Sequence, residues 1–182
     1  MLGLLGFYDE FDAQPGRPNG SIYDAVQPAG EPDEADLVSY LDSGHVLLDV
    51  MEGGSDVITG DPHRHSSGCS SLVTDGLWLW RLDFPHYVET YHVRLPSDFI
   101  EHARENNYQV PPVNVAEFAP QYNEALPLVG WLSTVPWRPA VSIIEPRERH
   151  VTSKAEFEAA LLTKQRNRPQ GSWSKKRKPR RR

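Results

Sequence analysis

Two histidines and one cysteine lie close together in one polar stretch of this chain. His63 and His65 are separated by one residue, and Cys69 follows four residues after His65. Imidazole nitrogens and a thiolate are accepted zinc ligands, so this loop is a candidate metal site. The spacing matches no established zinc motif. We therefore expect no metal or other cofactor, with the histidines as exposed loop residues and Cys69 as a small buried hydrophobic residue.

A second group of polar side chains belongs to one predicted helix. Asp83 precedes this helix, and His86, Tyr87, Tyr91 and His92 follow on it. A carboxylate near a histidine can orient the imidazole as a general base. No nucleophile elbow, phosphate-binding loop, dinucleotide fingerprint or paired-carboxylate motif accompanies the group. Because an N-cap aspartate and core tyrosines explain the same residues, we assign no catalytic residue and expect a protein that is not an enzyme.

Both groups border the stretch from Leu72 to Leu82, which predicts a β-hairpin. Asp75-Gly76 lies between two apolar runs and favours a type I′ turn, in which both central residues have positive φ. Trp78 and Trp80 would share one face of the second strand, where they fill the core or form an anchor for a partner. The hairpin is the expected centre of a small antiparallel sheet.

The residues before the hairpin predict a helix, a strand and a long loop. Pro32 and the acidic residues after it predict a helix over 33–42, with Gly44 as its C-terminal cap. The apolar run 45–51 predicts a strand buried behind that helix. Residues 52–71 are polar and rich in Gly and Ser, so we expect a loop.

After the hairpin the pattern becomes helical. Asp83 would cap a helix with Pro85 in its first turn, and Ser97 would cap a helix ending near Asn106. Residues 115–126 have helical composition that Pro120 breaks or kinks. A further helix is predicted over 153–165 from its capping box. These elements predict an α+β domain in which helices cover the small sheet.

Acidic residues are concentrated in the first third of the chain. The segment from Pro18 to His63 contains ten acidic residues and no Lys or Arg. Such a segment presents negative potential, which attracts basic partners and repels nucleic acid. Seven of its carboxylates are our candidate contacts to a basic protein partner: Asp33, Glu34, Asp36, Asp42, Glu52, Asp56 and Asp61.

The C-terminal end has the opposite charge. Residues 164–182 contain ten Lys or Arg and no acid, whereas residues 1–163 hold nine basic against 25 acidic residues, a net charge of −16. We expect a globular domain over 1–166 and a disordered basic tail over 167–182. The tail could bind nucleic acid or dock on the acidic body of its own chain. Its candidate nucleic-acid contacts are Trp173, Lys175, Lys176, Arg177, Lys178, Arg180, Arg181 and Arg182.

Length and composition set the remaining expectations. A chain of 182 residues fits one domain plus tails and can bury a sizeable core without a staple. One cysteine excludes an internal disulfide and fits a reducing compartment. The first eleven residues lack the basic start and the apolar length of a signal peptide or a membrane span. We expect a cytoplasmic protein with no membrane partner.

Several of these residues also form a familiar pattern. The pattern comprises Tyr40-Leu41-x-x-Gly44, Thr74-Asp75-Gly76-x-Trp78-x-Trp80, Asp83, Tyr87 and Tyr91-His92-Val93-x-Leu95-Pro96-x-x-Phe99. It resembles a group of small uncharacterised actinobacterial proteins, over residues 2–108. The resemblance implies a bacterial cytoplasmic protein and no catalytic residue. Small acidic α+β proteins of this kind are similar in style to immunity proteins that neutralise toxins.

These observations favour a non-enzymatic bacterial binding protein, of the kind that inhibits a basic protein such as a toxin through an acidic surface. Two alternatives remain open. The first is a nucleic-acid-associated protein that acts through the basic tail. The second is a metal-dependent enzyme at the loop of His63, His65 and Cys69.

Overall fold

The computed structural model describes residues 2–11, 16–127, 129 and 143–144. All of them belong to one compact unit, Met1–Arg149. The predicted helix over 153–165, the predicted basic tail and the boundary proposed between tail and domain lie outside the described residues.

A four-stranded sheet forms the centre of this unit. Its strands are β1 (Gly3–Leu5), β2 (His45–Leu48), β3 (Leu72–Thr74) and β4 (Trp78–Arg81), in the order β1-β4-β3-β2. β3 pairs antiparallel with both β2 and β4, whereas β1 pairs parallel with β4. The sheet is therefore mixed rather than purely antiparallel. A separate short ladder joins β5 (Val113–Asn114) to β6 (Ile143–Ile144).

Four α-helices of the described residues pack around the sheet, and the predicted α+β class is confirmed. They are α1 (Glu34–Asp42), α2 (Phe84–Tyr91), α3 (Ser97–Glu105) and α4 (Val115–Ala125). α4 continues through Pro120, so a break at this residue is wrong, and the kink given as its alternative stays a prediction. None of the helices in the described residues is long and apolar enough to cross a membrane.

The turn of the central hairpin differs from the expected type I′ turn. Gly76 has a φ of 98°, but Asp75 is not among the residues with positive φ. The Asp75 carboxylate instead accepts hydrogen bonds from the Leu77 and Trp78 amides at 2.9 and 2.7 Å. The side chain thus satisfies the amides of a three-residue connection, and only the glycine adopts the left-handed conformation.

Three predicted helix ends also differ in detail. Ser43 rather than Gly44 occupies the C-cap position of α1, and Gly44 instead lets the Trp80 ring approach, because a Cβ there would clash with Trp80 Cζ2. Asp83 occupies the N-cap position of α2, but its side chain makes no capping hydrogen bond. α3 begins one residue early, with Pro96 rather than Ser97 at the N-cap position.

The sheet separates two apolar clusters. Side chains alternate between its faces, so Val73 and Trp80 point to one cluster while Leu72 and Leu79 point to the other. The first cluster packs against α1, α2 and α3, and the second packs against α4. Trp80 is fully buried and donates its indole N–H to the Leu41 carbonyl at 3.2 Å. Trp78 lies on the same face, and both indoles contact the Phe99 ring, so the pair belongs to the core.

Candidate functional site

The connection between β2 and β3 folds over α2 and is held by one buried carboxylate. Asp56 is only 4% exposed. Its Oδ2 atom accepts a hydrogen bond from the Tyr91 hydroxyl at 2.6 Å and lies 2.7 Å from His86 Nε2. Its Oδ1 atom accepts from the Ile58 and Thr59 amides at 2.8 and 3.2 Å. One side chain therefore ties the loop both to itself and to the helix.

The hydrogen bonds determine the charge of this carboxylate. Burial by itself raises the pKa of Asp56, but hydrogen bonds from Tyr91, His86 and the two amides outweigh the burial and leave the pKa below its usual value. The pKa of Tyr91 rises to about 12 because its hydroxyl is desolvated and donates to Asp56. Asp56 is thus ionised at neutral pH, and its Oδ2 atom accepts a hydrogen bond from the N–H group at His86 Nε2.

His63 lies against this group as a neutral ring. Its side chain stacks on His86 with 4.2 Å between ring centroids and an interplanar angle of 14°, and the residue is 4% exposed. Desolvation, with the nearby charge of His86 second, lowers the pKa of His63 to about 4. Its Nδ1 accepts from the His65 amide at 3.3 Å, and Nε2 has no partner among the described residues. The prediction of an exposed His63 is therefore wrong.

The arrangement resembles a proton relay in part. His86 Nε2 contacts Asp56 while its Nδ1 lies 3.3 Å from the hydroxyl of exposed Thr90, one turn further along α2. A carboxylate, an imidazole and a hydroxyl in line can activate the hydroxyl as a nucleophile. Acyl transfer also requires backbone N–H donors free to stabilise an oxyanion. Thr90 lies within α2, where the neighbouring backbone amides are used in the hydrogen bonds of the helix. The described residues therefore offer a relay but no free N–H groups to stabilise an oxyanion.

The weak metal candidates separate in the structure. His65 Nε2 lies 3.1 Å from Asp42, which also pairs with Arg64 at 2.8 Å. The Cys69 thiol is buried 3.6 Å from Glu52, and burial raises its pKa. No group of three or more His, Cys, Asp or Glu side chains in the described parts of the chain is arranged to hold a metal ion.

The other residues of the second sequence group have structural contacts. Asp83 forms a buried, two-point ion pair with Arg81, at 2.9 and 2.8 Å, and the Arg81 guanidinium lies 4.3 Å from the centre of the Phe11 ring. Tyr87 is buried, and its hydroxyl accepts a hydrogen bond from the Val57 amide at 3.1 Å. His92 pairs with Glu34 at 2.9 Å.

The seven candidate acidic contacts fall into two sets. Four make close contacts within the fold: Asp33 with Arg104 and Tyr108, Glu34 with His92, Asp42 with Arg64 and His65, and Asp56 with His86 and Tyr91. The hydrogen bonds from Arg104 hold the pKa of Asp33 well below its usual range. The remaining three, Asp36, Glu52 and Asp61, are exposed.

Two of the exposed acids belong to the connection between β2 and β3. We define the acidic loop as residues 49–61, whose exposed side chains include Asp49, Met51, Glu52 and Asp61. Met51 is 99% exposed, the largest exposed fraction among the exposed large hydrophobic residues of the described chain. The acidic loop therefore combines a fully exposed apolar side chain with flanking negative charge.

Asp75 is a third buried carboxylate, which the sequence indicated only as a turn residue. Asp75 Oδ2 accepts from the Tyr40 hydroxyl at 2.8 Å and lies 3.2 Å from His102 Nε2. The hydrogen bond to Asp75 raises the pKa of His102. No spacing in the sequence could indicate this group, because its members lie on α1, the hairpin turn and α3.

Comparisons of the chain with protein-family models, with curated proteins and with solved structures find no match.

Proposed function

We propose that this protein is a non-enzymatic bacterial cytoplasmic binding protein of the immunity type, which holds a basic protein partner through the acidic loop. The observation that carries the proposal is the fully exposed Met51 between Asp49 and Glu52. Burying a methionine side chain in a partner contributes about 2 kcal/mol. The carboxylates around it favour a basic surface and accelerate association.

The acidic loop is held in shape before any partner arrives. The Gly54 amide donates to the Ser66 carbonyl at 2.8 Å, and the Gly68 amide donates to the Glu52 carbonyl at 2.7 Å. The Val50 amide donates to the Ser71 hydroxyl at 2.9 Å. Together with the contacts of Asp56, these bonds reduce the conformational entropy that binding would otherwise remove. A preorganised loop on a packed scaffold is typical of binding sites.

The charge distribution supports the same surface. Four of the seven candidate acids already contact cationic or hydroxyl groups of their own fold, so they contribute less field to a partner. Asp49, Glu52 and Asp61 are exposed on one loop, and among the described residues Asp49 accepts a hydrogen bond from Ser71 at 3.2 Å and Glu52 one from Cys69 at 3.6 Å, both from uncharged groups. We therefore assign partner contact to these three carboxylates and to Met51, with Asp56 as the residue that holds the loop.

The test is capture of partners from the native cell with matched variants. The loop variant carries Asp49→Asn, Glu52→Gln and Asp61→Asn, and the control carries Asp98→Asn, Glu101→Gln and Glu105→Gln on exposed positions of α3. Both lose three negative charges. We expect one basic protein to be retained by the wild type and the control and released by salt or by the loop variant. Equal retention by the loop variant would refute the assignment.

The basic tail supports a second proposal, nucleic-acid association. Its eight Lys and Arg residues, with no acidic residue among them, are the charge pattern of a phosphate-binding arm. If about five of them contact duplex phosphates, log K falls with log salt at a slope of roughly −4 to −5. Removal of residues 171–182 should abolish binding to duplex DNA or RNA, and unchanged binding would exclude the tail.

A further inference from the structure

The chain has few side chains whose sulfur an oxidant can attack. They are two methionines, Met1 and Met51, and one cysteine, Cys69. Peroxides oxidise methionine to the sulfoxide and cysteine through its thiolate, and the environment of each sulfur decides which of them reacts. Met51 and Cys69 lie in opposite environments, so the fold itself selects between them.

Met51 is presented to solvent by a tight turn of the acidic loop. The Glu52 amide donates to the Val50 carbonyl at 3.0 Å, which makes a three-residue turn with Met51 at its centre. The Val50 amide donates to the Ser71 hydroxyl at 2.9 Å, and the Glu52 carbonyl accepts from the Gly68 amide at 2.7 Å. Both neighbours are thus fixed while the methionine is 99% exposed. A peroxide can reach its sulfur without any opening of the fold.

Cys69 is protected in the same region of the chain. The residue is 4% exposed, and a Cβ at Gly54 would clash with its Sγ atom, so the backbone of the loop packs directly against the sulfur. Burial raises the pKa of the thiol, which also lies 3.6 Å from the Glu52 carboxylate. The thiol is therefore protonated at neutral pH, and a protonated, buried thiol is a poor nucleophile toward peroxide.

The charge around Met51 favours one kind of oxidant. Asp49 and Glu52 flank it in the sequence, and both are exposed. Their negative potential lowers the local concentration of anionic oxidants but does not act on hydrogen peroxide, which is uncharged. Hydrogen peroxide is therefore the oxidant to which this sulfur is best matched.

We propose that Met51 is a site of reversible oxidation to methionine sulfoxide, and that this modification releases the partner of the acidic loop. The sulfur attacks one oxygen of hydrogen peroxide, an S–O bond forms, the O–O bond breaks, and the second oxygen leaves as water with both hydrogens. The thioether loses two electrons and the peroxide gains them. Methionine sulfoxide reductases reverse the change, so the site can act as a switch.

The effect on the partner rests on the proposed function. There Met51 is the apolar side chain that the partner buries, and a sulfoxide is polar, so its burial no longer contributes the transfer free energy of a methionine. The loss corresponds to a dissociation constant about thirtyfold larger. Because Met51 is 99% exposed in the free protein, the same oxidation should leave the fold intact.

The first experiment tests the selectivity of oxidation and needs no partner. Full-length wild type and Met51→Leu are treated with hydrogen peroxide at neutral pH and followed by peptide mass spectrometry, which counts Met1 separately. We expect Met51 to gain one oxygen at a rate within about threefold of that of N-acetylmethionine amide. One free thiol should remain after unfolding, and the urea midpoint should be unchanged. Oxidation of Met51 that is more than about threefold slower, or oxidation of Cys69 first, would overturn the proposal.

The second experiment tests release of the partner. Reduced wild type and Met51→Leu, which keeps an apolar side chain, should both retain the basic protein from the native cell. Peroxide should release it from wild type but not from Met51→Leu, and a methionine sulfoxide reductase should restore its retention. Equal retention by oxidised and reduced wild type overturns the switch and leaves the proposed function standing. Failure of reduced wild type to retain any basic protein overturns both, whereas the selective oxidation is decided by the first experiment.

Discussion

Replacement of His63 by phenylalanine should change how the stability of the protein depends on pH. The His63 pKa is about 4 in the fold against 6.5 for an ordinary histidine. As the pH falls, His63 in the unfolded chain binds a proton at a higher pH than His63 in the fold. The stabilisation that depends on neutral His63 is therefore complete above pH 6.5. It is lost progressively as the pH falls from 6.5 to 4, and below 4 both states are protonated.

The size of this effect follows from the two pKa values. At 1.36 kcal/mol per pH unit, the full loss is on the order of 3 kcal/mol, and about 2 kcal/mol of it falls between pH 7 and pH 5. His63→Phe keeps a flat ring that can stack on His86 but cannot be protonated. The difference in unfolding free energy between wild type and variant should therefore shift by about 2 kcal/mol in favour of the variant over this interval.

The assay is urea unfolding of both proteins at pH 7, 6 and 5, combined with NMR titration of the histidine rings. Subtraction of the two stability curves removes the contributions of the other titrating groups. The His63 ring should remain neutral at pH 5 in the folded wild type. Parallel stability curves, within about 0.5 kcal/mol, or a His63 ring that titrates near pH 6.5, would refute the reasoning.

Four further outcomes follow from named contacts. Asp56→Asn removes the acceptor for the Tyr91 hydroxyl and should cost about 2 kcal/mol, with faster hydrogen exchange at the Ile58 and Thr59 amides as the local readout. Arg81→Met leaves buried Asp83 without its cation and should lower the free energy of unfolding in urea by roughly 3–5 kcal/mol. The double variant Arg81→Met with Asp83→Leu should recover a large part of this loss. Gly44→Ala places a methyl group against Trp80 and should cost about 1–3 kcal/mol, with a change in tryptophan fluorescence. The raised pKa of His102 makes stability depend on pH in the opposite sense to His63. The stabilisation from protonated His102 is present below pH 6.5 and is lost as the pH rises through the folded pKa. His102→Gln should therefore make the free energy of unfolding depend less on pH on the neutral side.

The sequence predicts the hairpin and the helices well because their signals are local. Alternation in 72–81 and the Pro85 position are read from neighbouring residues. The parallel pairing of β1 with β4 joins residues more than seventy positions apart, and no short pattern encodes it. Gly44 shows the same limit, since a glycine that ends a helix and a glycine that admits a tryptophan ring are indistinguishable in the sequence.

The candidate site was only partly predictable for a related reason. The histidine beside a carboxylate was foreseen, but the assigned carboxylate was Asp83, which instead holds Arg81. Its place is taken by Asp56, thirty residues before His86 in the chain. A carboxylate that meets its partner across a long loop cannot be found from spacing. Asp56 was predicted as a surface contact to a partner, but it is buried. The composition of a segment gives the charge of its side chains and not their burial.

The acid-only segment explains why histidines are so prominent in these contacts. With no Lys or Arg between residues 18 and 63, a guanidinium or ammonium partner for the carboxylates there must come from another part of the chain. Arg104 reaches Asp33, and His92 and His86 reach Glu34 and Asp56. These contacts attach the segment to α2 and α3, so they stabilise the fold and remove charge from the surface at the same time. The exposed carboxylates of the acidic loop, Asp49, Glu52 and Asp61, form no ion pair within the part of the chain that the structure describes, and that is why the proposed partner is assigned to this loop rather than to the segment as a whole.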